Sequence, residues 1–282
     1  MHPPLAELDR ALHAAVDGAF EAEQVSWLRR LVDQPSHTYA RADVEAAAGL
    51  VDELAAAVGL AIRRIPDPEG RFADHRIYSA PAAAAGDRAL ALVGHVDTVF
   101  PRELGFLEFS RDPERPDVAR GPGVLDMKSG LTAIFFALRA LREVAPERFA
   151  ALPARVVCVS DEEVGSPSSA RAVYDGLARL TSEALVFEAG RSGDKIVTAR
   201  KGGGLFTLTV HGRAAHAGND HRSGVNAIHA LALLIPAIEA MTDYERGVTL
   251  SVGLVSGGTA KNTVPERATC TIDARFEAVA DA

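Results

Sequence analysis

A chain of 282 residues, 48% hydrophobic and 24% charged, can form one large domain or two ordinary ones and has the balance of a globular protein. Its formal charge of −8 argues against a nucleic-acid partner, which needs concentrated Lys and Arg, and no apolar run approaches the roughly 18 residues needed to span a bilayer. Met1 to Phe20 lacks the apolar stretch of a secretory signal, and Cys158 and Cys270 sit in apolar patterns as small core residues, so the expectation is a cytoplasmic protein without disulfides.

In chain order, Val25, Leu28, Leu31 and Val32 predict a helix ending before Pro35. Val44, Ala47, Ala48, Val51, Leu54, Ala55 and Val58 predict a second helix, stopped at Gly59. Asp67 to Gly86, rich in Pro, Gly and Ala, reads as a loop or an irregular hairpin. Three continuous apolar runs follow, Ala89 to Val93, Val156 to Val159 and Ala184 to Phe187, each expected to be a strand covered on both faces of a parallel or mixed sheet. A helix with Leu131, Ile134, Phe135 and Leu138 on one side lies between the first two, and another, carrying Val173, Leu177 and Leu180, follows Ser168.

After about Arg200 the pattern changes. Phe206, Leu208 and Val210 alternate with polar residues, as do Val248, Leu250, Val252 and Leu254, and then Ala268, Cys270 and Ile272. A helix with Val225, Ile228, Leu231, Ile235 and Ile238, kinked at Pro236, lies between the first strand and the second. The fold class expected is α/β, with a catalytic domain over 1–199 and a smaller antiparallel α+β domain over 200–282. Lys201-Gly202-Gly203-Gly204 lacks the spacing of a phosphate loop and reads as the turn into that second domain.

Each apolar run is followed at once by metal-competent residues: His95 and Asp97 after the first, Asp161, Glu162 and Glu163 after the second, Glu188 after the third. Ligands of open α/β sheets bind beyond the carboxyl ends of the strands, so the three clusters point to one site. Taken singly, each also reads as polar capping where a buried strand meets solvent. At a period of two, His95 and Asp97 share a side, which suits a metal-binding imidazole fixed by a carboxylate behind it. Adjacent Glu162 and Glu163 point apart, so that one can ligate while the other acts as general base. Asp126, in the loop Gly121-Pro122-Gly123-Val124-Leu125-Asp126-Met127-Lys128-Ser129-Gly130, fits an N-cap of the following helix or a carboxylate bridging two ions.

Gly94-His95-Val96-Asp97-Thr98-Val99, the Asp126 loop, Ser160-Asp161-Glu162-Glu163-Val164-Gly165 and Ala215-His216-Ala217-Gly218 together resemble the zinc-dependent metallopeptidase family of glutamate carboxypeptidases, acetylornithine and succinyl-diaminopimelate deacetylases and aminoacylases. The matches keep the family's order over nearly the whole chain. The resemblance implies two zinc ions, with cobalt or manganese as substitutes, and hydrolysis of an amide or peptide bond next to a free carboxylate. It assigns His95, Asp126 and Glu188 to one ion, and Asp126 with Glu163 to the other. Asp97 would orient His95, and Glu162 would take a proton from the bridging water and deliver it to the leaving nitrogen. It further implies a small ferredoxin-like domain that serves as lid and homodimer interface, from which His216 reaches a partner's site to stabilise the oxyanion. Asn262 and Arg275 match substrate-contacting positions, and the planar fork of Arg275 suits a carboxylate. Without the resemblance, His216 reads as a loop residue and Arg275 as a solvated charge.

The family's remaining metal ligand, a histidine far toward the C-terminus, has no counterpart here, since the last histidine is His229 on a predicted helix of the smaller domain. The expectation is therefore an incomplete fold of low stability and little activity. Absence of Gly-x-Ser-x-Gly disfavours a serine hydrolase, and absence of His-Glu-x-x-His excludes the helical zincin arrangement. The competing reading is a degenerate, non-catalytic relative that binds a carboxylate ligand or a protein partner.

Overall fold

The run of small and branched apolar residues at Ala154–Val159 forms the buried centre of a five-stranded sheet. In the computed structural model, which describes residues 5–85, 88–190, 192–193 and 195–282, this sheet belongs to the first of two compact units, one ending at Ala189 and the other starting at Gly190. Its strands are β1 (Ala61–Ile65), β2 (His75–Ser79), β3 (Ala89–His95), β6 (Ala154–Val159) and β7 (Thr181–Val186), arranged β1-β2-β6-β3-β7. A two-stranded ribbon, β4 (Ser110–Arg111) with β5 (Ala119–Arg120), lies outside it. The pairs β6–β3 and β3–β7 are parallel, whereas β1–β2 and β2–β6 are antiparallel. Three strands therefore deliver their carboxyl ends to one rim.

Both faces of β6 are covered, which is why its residues need not alternate. Ala154, Val156 and Cys158 join the main core with helices α3 (Arg41–Val58) and α4 (Ser129–Val144), while Val157 and Val159 pack against Val173 and Leu177 on the other side. Helix α3 ends where the sequence predicts: Gly59 takes φ of 84°, and the Gly59 and Leu60 N–H groups bond back to Ala56 and Ala55. The apolar stripe of α4, Leu131, Ile134, Phe135 and Leu138, is buried as expected. Helix α2 (Val25–Asp33) is also where the periodicity predicts it, preceded by α1 (Leu5–Ala19) and a π turn over Phe20–Gln24; Met1 to Pro4 lie outside the described residues.

One expectation is corrected and two are refined. Ala184 to Phe187 is not covered on both faces: β7 is an edge strand, and Val186 is 60% exposed. The stretch Asp67 to Gly86, expected as a loop or an irregular hairpin, carries β2, which pairs antiparallel with β1 and has its first four residues buried; Gly86 itself lies outside the described residues. The helix expected after Ser168 is present as contiguous π (Ala170–Tyr174), α6 (Asp175–Leu177) and 3₁₀ (Ala178–Leu180) segments, with Val173 and Leu177 buried. A short helix, α5 (Pro146–Ala151), leads into β6.

The second unit is a three-stranded antiparallel sheet, β10-β12-β8, formed by β8 (Gly202–His211), β10 (Thr249–Gly257) and β12 (Arg267–Phe276). A small ribbon pairs β9 (Ala215–His216) with β11 (Thr263–Val264). Helix α7 (Ala227–Glu239) is capped by the Asn226 side chain, runs through Pro236, and lays Ala227 and Leu231 on Ala268, Cys270 and Ile272. Leu254 departs from the alternation. A bulge between Val252 and Leu254 pairs Leu254 with Thr271, so it turns to the face away from α7 and is 71% exposed.

Candidate metal centre

The strand ends bring the expected residues of the first unit together. His95 closes β3 and is fully buried, opposite Val159 of β6. Gly94 precedes it because Met127 lies against this strand: a Cβ there would fall 2.6 Å from the Met127 Cε, and the Met127 sulfur accepts the His95 N–H at 2.9 Å. Beyond β3 the chain turns through Asp97, also fully buried. His95 Nδ1 sits 2.9 Å from the Asp97 carbonyl oxygen and 3.3 Å from its Oδ1, leaving Nε2 to face the rim. There it meets Asp126 Oδ1 at 3.0 Å, Glu188 Oε1 at 3.6 Å and Glu162 Oε2 at 3.7 Å.

Asp126 comes from the glycine-rich loop and has extended φ and ψ of −117° and 99°. It does not cap α4, whose N-cap position is Lys128, so of the two readings open in the sequence the capping one is not realised. The loop is anchored by Lys128, a fully buried ammonium that donates to the carbonyls of Leu31 at 2.7 Å and Gln34 at 2.9 Å; burial lowers its pKa to about 7. Glu162 and Glu163 occupy a 3₁₀ turn after β6, and their N–H groups donate to Asp97 Oδ1 at 3.3 Å and Oδ2 at 3.2 Å. Glu188 follows β7 beside α4, where the Phe187 carbonyl lies so close to Gly130 that no larger residue fits.

Two groups of donors have their ligand atoms within 4.8 Å of one another, His95 with Asp126 and Glu163, and His95 with Glu162 and Glu188. Imidazole with carboxylates is a donor set for divalent zinc, cobalt or manganese. The electrostatics point the same way. Burial disfavours the His95 cation, but the bond to Asp97 and the charges of Asp97, Glu188 and Glu162 lift its pKa to about 9. Burial raises the Glu163 carboxyl to about 7, helped by Asp126, Asp97 and Glu162 against the pull of His95. Burial likewise raises Glu188, and Asp126 adds both charge and a hydrogen bond. Protons held by crowded carboxylates are what a cation would replace, so the residues fit a bound divalent cation.

His216, Asn262 and Arg275 belong to the second unit and are all exposed. His216 pairs with Thr263 and Ala217 N–H donates to the Asn262 carbonyl, so these two residues are neighbours. The Gly218 and Asn219 N–H groups both donate to His216 Nδ1 at 3.1 Å, which places the ring proton on Nε2. Arg275 pairs with Gly203 at the far end of β12; the eight residues from Arg267 at about 3.3 Å each put it roughly 26 Å from that end. Its fork is held by Asp273, with Nε and one terminal nitrogen each 2.9 Å from a carboxylate oxygen.

Sequence reading missed Thr38, which donates to Asp97, and the buried group His75, Ser168 and Asp67 beneath the Glu162–Glu163 turn. None lies in a repeating pattern, and His75 falls in the stretch expected as a loop or an irregular hairpin.

Residues 198–282 match the family described as the peptidase dimerisation domain. The chain is 29% identical over 192 residues to carboxypeptidase G2 of Pseudomonas sp. (strain RS-16), covering 68% of this chain and 45% of that protein. It is 32% identical over 195 residues to acetylornithine deacetylase of Myxococcus xanthus, covering 65% and 48% respectively. The chain thus spans about half the length of these curated relatives. Among solved structures it resembles a tripeptidase from Staphylococcus aureus, with TM-score 0.71, 19% identity and 91% and 66% of the two chains covered. It also resembles a dinuclear metal-binding M20 peptidase from Bacillus subtilis, with TM-score 0.59, 14% identity and 94% and 66% covered. The second unit thus matches the peptidase dimerisation domain, and the chain as a whole is similar in sequence to a carboxypeptidase and a deacetylase and in fold to an M20 peptidase.

Proposed function

We propose that this protein hydrolyses an amide or peptide bond next to a free carboxylate, as a carboxypeptidase or N-acyl-amino-acid deacylase, with two divalent cations, zinc first among them. The observation that carries this reading is the meeting at His95 Nε2 of carboxylates from three separate segments, Asp126, Glu162 and Glu188, within 3.7 Å. In this reading His95, Asp126 and Glu188 hold one ion and Asp126 with Glu163 the second. Bound there, the pair would supply Lewis acidity and an acidified water.

The chain's own residues do the rest. Glu162 is exposed beside the ligands, where its carboxylate can take a proton and return it to the leaving nitrogen. Asp97 holds His95 Nδ1, so that Nε2 offers its lone pair. His216, with its ring proton on Nε2, can donate to the substrate oxyanion. Arg275 suits the substrate carboxylate and Asn262 a further polar contact.

A homodimer through the second unit is part of the proposal. The dimerisation-domain match supports it, as do the exposed Leu205 and Leu233. Arg275 lies roughly 26 Å along β12 from Arg267, and a partner copy could supply His216 and Asn262 to the same substrate. Among the described residues no helix is long and apolar enough to cross a membrane; the two buried free cysteines support a cytoplasmic setting.

The test is a metal titration followed by a panel of N-acyl amino acids and dipeptides ending in glutamate, each beside its carboxamide analogue. Turnover of the acids that Glu162→Gln abolishes while metal and ligand stay bound supports the reading. Ligand binding without turnover by the wild-type protein supports the non-catalytic relative instead.

A further inference from the structure

Asp97 is the one carboxylate of the cluster that faces inward, and its two oxygens serve three separate segments. Oδ1 lies 3.3 Å from His95 Nδ1 and accepts the Glu162 N–H at 3.3 Å; Oδ2 accepts the Glu163 N–H at 3.2 Å. All three contacts are long, and the terminal torsion of an aspartate is broad. These groups alone therefore hold the carboxylate plane loosely.

A fourth contact is short. Thr38 Oγ1 sits 2.8 Å from Asp97 Oδ2, and 3.4 Å from the Thr98 carbonyl, so the single hydroxyl proton goes to the anion. Thr38 is placed independently of that bond. Residues 36–38 run parallel to 97–98: Thr98 N–H donates to the Ser36 carbonyl at 2.8 Å, Thr38 N–H donates to the Thr98 carbonyl at 3.1 Å, and His37 bridges Thr98. Thr38 is 1% exposed and Asp97 is fully buried, so water has no ready access to replace the hydroxyl. The strap itself is tied down by Lys128, which donates to the Gln34 carbonyl.

We propose that Thr38 is a positioning residue of the metal centre: its hydroxyl fixes the Asp97 carboxylate and, through it, both the His95 ring and the Glu162–Glu163 turn. The inference rests on the reading of His95 and Glu163 as metal ligands. Losing the hydroxyl loosens a ligand of each ion at once, an effect expected to cost about tenfold or more in metal affinity, the range for partners standing behind ligands.

The experiment compares wild type with Thr38→Val, which keeps the shape, Thr38→Ser, which keeps the hydroxyl, and Thr38→Ala, which covers the case of a valine that does not fold. Zinc affinity is read by competition with a chromophoric chelator, and coordination by the visible spectrum of the cobalt-loaded protein. Valine and alanine should weaken zinc about tenfold or more and alter the cobalt spectrum, with serine restoring both. Unchanged affinity and spectrum in a folded valine or alanine variant overturn the inference. So does a serine variant as weak as the valine, because the methyl group would then be what matters. A wild-type protein that binds no metal removes the metal-centre reading and this inference together, an outcome distinct from the other two.

Discussion

Gly130 stands in the first turn of α4, where alanine would normally favour the helix by about 1 kcal/mol. Here a Cβ would lie 2.1 Å from the Phe187 carbonyl oxygen and 2.7 Å from the Met127 Cε. The first neighbour is backbone and cannot swing aside, so the helix or the strand exit must move, and Glu188 moves with it. Gly130→Ala is therefore expected to lower both the melting temperature and zinc affinity, despite its better propensity. A variant as stable as wild type with undiminished zinc affinity would count against the placement of Glu188. His75 makes a second case. Its Nδ1 accepts the Ser160 N–H at 3.3 Å, its Nε2 donates to Ser168 Oγ at 3.1 Å, and Ser168 donates to Asp67 at 2.6 Å. Burial lowers its pKa below 6.5, against the pull of Asp161, Asp67, Asp97 and Asp74. The unfolded chain takes up that proton near pH 6.5, so the stability from the neutral ring is present above 6.5 and is lost as pH falls from there toward the lowered folded value. Glu163, raised to about 7, slopes the opposite way, so the readout is the difference between proteins. Denaturant midpoints of wild type should fall more than those of His75→Gln between pH 7 and 5; parallel curves would remove the buried neutral ring from the account.

Among the elements, the bulge in β10 decides which leucines matter. Leu231 of α7 is 1% exposed against Ala268 and Cys270, and Leu231→Ala should cost the second unit about 2–5 kcal/mol. Leu254, which alternation alone would place beside it, is turned outward by the bulge, and Leu254→Ala should stay within about 0.5 kcal/mol in urea unfolding. Equal losses at the two positions would mean that the register continues unbroken through Gly253. The same contrast explains what could be read before the fold was seen. Strand β6 was legible because both its faces meet apolar neighbours. Strand β2 was not, because its burial is polar: Arg76 reaches Glu45 at 2.5 Å and Asp52 at 3.4 Å, Tyr78 donates to Asp52, and His75 meets Ser168. No hydropathy pattern announces a strand whose polar side chains are neutralised by residues 24 to 93 positions away. The ligands at the strand ends were legible because chemistry concentrates where buried runs stop. Thr38 was not, because a lone hydroxyl acquires its role only through a parallel contact across the fold.

In the whole molecule, metal-binding energy is felt where the donors lie. Every residue of the two candidate donor groups lies in the first unit, and the second unit has its own core beneath α7. A ligand that binds only the folded state stabilises it by about 2.7 kcal/mol at a free concentration one hundred times its dissociation constant. For a body of this size each kcal/mol moves the midpoint by about 2–4 °C, so saturating zinc should raise the first unit's transition by roughly 5–10 °C. The second unit gains nothing directly, because its exposed His216 is engaged through Nδ1 by two backbone N–H groups and belongs to neither donor group. Calorimetry with zinc, and again after chelation, is expected to resolve two transitions of which only one shifts. A metal-dependent shift confined to the other transition would relocate the site. A single transition moving as a whole would mean that the two cores unfold together, and that the first unit's metal energy also holds the dimerisation domain in place.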